Sequence, residues 1–107
     1  MSTFDEREKA FENKFKRDQE LQFKVTARRN KLLGLWAAEQ MGVKGDAAEA
    51  YAKEVVVADF DKPGDDDVVS KVVKDFAAKG VGHDGDKVRR EMERLMGVAK
   101  EQLAKQG

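Results

Sequence analysis

FKVTARRNKLLGLWAAEQ, residues 23–40, carries the sole tryptophan of the chain, four basic residues and its strongest apolar stripe. At helical spacing Val25, Leu32, Leu35 and Trp36, followed by Glu39, recur at steps of three, four and seven. A broad apolar face with a bulky indole suits a core helix on which others pack, with Trp36 buried. No acidic residue occurs between Glu20 and Glu39, so this helix is locally cationic.

Toward the N-terminus the composition changes. Thr3 and Glu6 are spaced as a capping box, with Asp5 and Glu6 in the first turn, where the helix dipole favours anions. A helix can start at Phe4. Up to residue 20 its large apolar residues are Phe4, Phe11 and Phe15, at intervals of seven and four on one face, among eleven charged residues. That narrow stripe buries too little area to hold a helix on a core. The reading is an arm over residues 1–18, partly disordered alone and helical when its phenylalanines meet a partner, followed by a bundle over residues 19–107. The competing reading is a plain extension of the first bundle helix.

Toward the C-terminus three more helices are legible. Gly42 caps the first helix near Met41. Asp46 with Glu49 repeats the capping-box spacing and opens DAAEAYAKEVVVADF. Val55, Val56 and Val57 favour strand by propensity but lie inside helical periodicity, so they read as helix. DKPGDDD, residues 61–67, is a turn. A third helix from about Val68 to Lys79 aligns Val68, Val72 and Phe76, and Gly80 ends it. After GVGHDG, a fourth from Asp86 to about Lys105 aligns Val88, Met92, Leu95, Met96, Ala99 and Leu103. Short connections imply antiparallel neighbours, hence an all-α four-helix bundle with an N-terminal arm.

Composition removes several classes. The chain holds 107 residues, enough for one core. Its 21 basic and 21 acidic residues balance, which argues against a nucleic-acid binder. With no cysteine there is no disulfide framework, thiol nucleophile or thiolate metal site, which suits a cytoplasmic protein. No apolar run reaches membrane-spanning length, so direct membrane insertion is not expected. The polar opening MSTFDEREKAF does not read as a signal peptide.

The motifs are weak. Gly80, Gly82 and Gly85 spell G-x-G-x-x-G but follow a helix, where the dinucleotide fingerprint needs a strand. Asp59, Asp61 and Gly64 hint at a calcium loop, yet Pro63 and Ser70 occupy positions that need oxygen-rich ligands. His83 is the only histidine and reads as a loop residue. No catalytic set assembles, so neither an enzyme nor a metal site is expected. The polar feature above background is Lys24, Arg28, Arg29 and Lys31, without interleaved acids: most simply a solvated face, otherwise a seat for phosphate or an acidic surface.

TFDEREKAFENKF, ARRNKLLGLWAAE and AYAKEVVVADFDKPGDDDV together resemble the zeta subunit family of alphaproteobacterial F-type ATP synthases, small ATPase inhibitor proteins. The similarity runs through essentially the whole chain and is least distinctive after Gly80. It implies a four-helix bundle that inhibits ATP hydrolysis by the soluble rotary head, with the N-terminal arm inserted at a catalytic subunit interface beside the rotor. On that basis the partners are the alpha, beta and gamma subunits, the protein is peripheral to the inner membrane when bound and a monomer when free. Phe4, Arg7, Lys9, Phe11 and Phe15 are then the candidate partner-binding residues. No cofactor is required. ADP or ATP is implied as a regulatory ligand, with Arg28, Arg29 and Lys31 as candidates to bind it. The alternative reading is a nucleotide-sensing helical protein with weak or no inhibition.

Overall fold

Helix α1, Ser2–Gln40, is the element on which every other one packs. It is followed by α2 (Asp46–Asp61), α3 (Asp65–Ala78) and α4 (Gly85–Gln106). The structure is a computed structural model that describes residues 2–61 and 64–106, with side chains described for 19–59 and 64–105. α1 contacts α2, α4 and, less closely, α3, while α3 also touches α2 and α4. Among the described residues α2 and α4 make no close approach. The arrangement is thus a four-helix bundle with α1 and α3 on its short diagonal.

Apolar periodicity explains the core. Val68, Val72 and Phe76 of α3, and Val88, Met92, Leu95 and Ala99 of α4, are buried, as their spacing requires. Val55 of the valine triplet faces inward, Val56 is half-buried and Val57 is exposed, the pattern of a helix rather than a strand.

The buried face of α1 differs from the expected one. Its seam runs through Val25, Leu33, Ala37 and Ala38, with Gly34 between them. Leu32, Leu35 and Trp36 are only half-buried, and Glu39 is exposed. Trp36 therefore flanks the core instead of filling it, and among the described residues Phe76 is the largest fully buried side chain. The physical reason is a close crossing. A Cβ placed on Gly34 would lie 2.5 Å from the Cα of Ala52, so at Gly34 the two helices meet backbone to backbone. Periodicity weighted by side-chain bulk points to the rim of such a contact.

The helix ends follow from local chemistry. At the end of α1 the Val43 amide donates to the Ala38 carbonyl at 2.8 Å and Gly42 adopts φ 75°, a left-handed cap that favours glycine. Gly80 repeats the device after α3, with the Val81 amide donating to Phe76 at 2.8 Å. The first glycine of the G-x-G-x-x-G string is thus a helix stop. Asp46 lies inside the first turn of α2, and the Ala48 and Glu49 amides donate to the Gly45 carbonyl. The cap of α4 is Asp84, whose carboxylate accepts from the Lys87 amide at 2.9 Å. α3 begins at Asp65, three residues before the expected start, so the acidic run forms its first turn.

Candidate functional site

The cationic residues of α1 divide between surface and interior. Lys24, Arg28 and Lys31 line an open hollow of about 700 Å³, whose apolar walls include Leu21, Phe23 and Ala27 of the same helix, Val56 of α2 and Leu103 of α4. Arg28 is braced across it, its Nη1 donating to Gln102 Oε1 at 3.0 Å. Leu21 and Phe23 are 51% and 56% exposed, unusual for side chains of that size.

Arg29 is elsewhere. It is 3% exposed, and its Nη2 donates to Asp65 Oδ1 at 2.8 Å, joining α1 to the first turn of α3. The guanidinium also donates to Asn30 Oδ1, at 3.1 Å from Nε and 2.9 Å from Nη2. A buried charge needs such partners, because desolvation without them is expensive. The structure brings Arg28 and Lys31 together at the hollow and turns Arg29 inward, away from any surface ligand. The sequence offered one signal for this: the acidic run that supplies Asp65.

Two polar clusters brace the bundle. Tyr51 donates to Asp75 Oδ2 at 2.8 Å, and Lys71 donates to the same oxygen at 3.1 Å while lying 5.3 Å from the Tyr51 ring centre. Burial, then the bond to Asp75 and the nearby carboxylates, push the Tyr51 hydroxyl far above the usual phenol range. At the same end of the bundle His83 stacks on Trp36, with centroids 5.8 Å apart, and meets Phe76 edge-on at 5.5 Å. Its Nε2 lies 2.9 Å from Gln40 Oε1. The loop histidine is therefore part of the aromatic cap over the core, a role with no signature in the sequence.

The side chains of Phe4, Arg7, Lys9, Phe11 and Phe15 lie outside the described residues, while the backbone of α1 is helical from Ser2 and runs without a break through the boundary at residues 18–19. Among the described residues no group of three or more histidine, aspartate and glutamate side chains gathers as a metal site. None of the described helices is long and apolar enough to cross a membrane.

The model of the ATPase inhibitor subunit zeta family matches residues 1–102. The chain belongs to that family. No curated protein matches it. Among solved structures, one determined by solution NMR is 50% identical and superposes with a TM-score of 0.72, covering 81% of this chain and 99% of that one. Membership places the chain among ATPase inhibitor subunits, a regulatory class rather than an enzymatic one. The matched stretch takes in residues 1–18 as well as the helices that follow.

Proposed function

We propose that this zeta-family chain restrains ATP hydrolysis by the F-type ATP synthase, its first 18 residues entering a catalytic subunit interface beside the rotor while the bundle remains outside. The observation that carries this is the family match, which starts at residue 1. The sequence supports it: Phe4, Phe11 and Phe15 form a narrow apolar stripe among charges, and among the described residues of α1 the first buried apolar side chain is Val25. Phe4, Phe11 and Phe15 would supply the apolar grip, each worth about 1.5–3 kcal/mol if fully buried. Arg7 and Lys9 would add exposed ion pairs worth at most about 1 kcal/mol each. The bound protein would be peripheral to the membrane.

The test is inhibition of ATP hydrolysis by purified synthase. Removing residues 1–18 should abolish inhibition and leave the thermal melt of the bundle nearly unchanged. Phe11→Ala with Phe15→Ala should approach the same loss. Inhibition by the truncated chain equal to that of the full one would remove the arm from the mechanism.

A nucleotide-sensing role draws less support. A phosphate would meet Arg28 and Lys31 at the hollow, but Arg29 is committed to Asp65 and the walls are largely apolar.

A further inference from the structure

Exposed apolar surface on the bundle is concentrated rather than scattered. The large hydrophobic side chains exposed among the described residues are Leu21, Phe23 and Val57. Leu21 and Phe23 line the hollow described above. Val57 lines the adjoining depression between α1 and α2, which shares Val56 and Lys31 with it. Leu21, Lys24, Arg28 and Lys31 are spaced three, four and three apart, which sets them in one row along α1. An apolar trough edged by cations, about 700 Å³ in volume, has the form that receives one face of an amphipathic helix through side chains at i, i+3, i+4 and i+7.

Charge selects the occupant. In the sequence α1 bears no carboxylate between Glu20 and Glu39, and among the described residues of α2 Glu49 and Asp59 line the neighbouring depressions. A second copy docked symmetrically would set Lys24, Arg28 and Lys31 against their own equivalents, a like-charge contact. A bilayer is flat, and this surface is concave. An acidic helix with apolar residues on one side satisfies both the charge and the shape.

We propose that the hollow between α1, α2 and the end of α4 is a docking site on the bundle for an acidic amphipathic helix of the catalytic head of the ATP synthase. This rests on the inhibitory reading for its partner, but assigns the bundle a contact of its own. The arm stops turnover; the hollow holds the protein in place. Affinity and inhibition then become separable properties.

The experiment measures binding of the full chain to purified catalytic head, by fluorescence anisotropy, together with inhibition of ATP hydrolysis at saturation. Leu21→Ser with Phe23→Ser should raise Kd at least 10-fold with inhibition at saturation unchanged. Lys24→Glu should raise Kd several-fold and flatten its salt dependence, whereas Lys24→Arg should keep both. These side chains lie on the surface, and an unchanged helical signal confirms folding. An unchanged Kd with intact inhibition overturns the docking site and leaves the arm reading standing. Binding that depends on Leu21 and Phe23, without inhibition by the unaltered chain, removes the arm reading and leaves the docking site. Absence of head binding overturns the site. So does face-dependent self-association, or cosedimentation with phosphatidylserine vesicles, in place of head binding.

Discussion

Gly34→Ala isolates the close crossing of α1 and α2. Intrinsic propensity favours the change, since alanine is about 1 kcal/mol better than glycine inside a helix. The structure reverses the sign. The added Cβ would sit 2.5 Å from Ala52 Cα, and 3.2 Å from both Ala52 Cβ and Val55 Cγ2. Carbon atoms rest at about 3.5–4.0 Å, so the helices must part by roughly 1 Å. The first obstacle is backbone, which no rotamer change can relieve. Overpacking of this kind costs about 1–3 kcal/mol. Parting also loosens the core cluster that Leu33 and Ala37 share with Val55, which places the cost at the upper end. The net expectation is a loss of about 2 kcal/mol, or about 10 °C in Tm for a domain of this size. Gly97→Ala is the matched control, because Gly97 lies within α4 and a Cβ there meets nothing within 4 Å. It should stabilise by about 0.5–1 kcal/mol through propensity alone. Urea and thermal unfolding followed by helical circular dichroism compare the pair. Equal shifts of the same sign in both variants would refute the close crossing.

Two further predictions concern Tyr51 and the Arg29–Asp65 pair. Tyr51 is the only tyrosine, so tyrosinate absorbance reports on it alone. Its folded pKa is raised, so its contribution to stability is present below the unfolded value of about 10 and is lost as pH rises beyond it. The native protein should show no phenolate titration near pH 10, the urea-unfolded protein should, and Tyr51→Phe should remove part of the alkaline fall in stability. Asp65→Ala should destabilise by about 1.5–3 kcal/mol, because it strips a charged partner from the buried Arg29 guanidinium. Asp67→Ala, in the same first turn, should cost only the dipole contribution of about 0.3–1 kcal/mol. Urea midpoints decide, and equal losses would show that Arg29 does not depend on Asp65.

Helix number, order and approximate ends were legible because each is written in short-range chemistry: Gly42 and Gly80 as stops, valine rows at helical spacing, an acidic first turn. The orientation of α1 was not. Leucine and tryptophan dominate a hydrophobic pattern, while the close crossing that fixes the orientation is made at Gly34, which contributes little to it. Arg29 was grouped with Arg28 and Lys31 because the three are sequence neighbours, yet consecutive helical residues point about 100° apart. The hollow was half legible, through its cations. Leu21 and Phe23 passed unnoticed because exposure is a property of the assembled bundle. Asp84 was hidden in a glycine-rich loop, and the stacking of His83 on Trp36 joins residues 47 positions apart in sequence.

An uninterrupted α1 carries orientation as well as distance. At about 1.5 Å per residue its 39 residues span roughly 58 Å, close to the 65 Å long axis of the molecule. A continuous helix also fixes azimuth, because each residue adds about 100°. Whatever seizes the first turns of α1 therefore sets which side of the bundle faces it, and a hinge of two or three glycines would erase that phase while keeping the reach. Once the arm is helical on a partner, α1 acts as a keyed shaft rather than a tether.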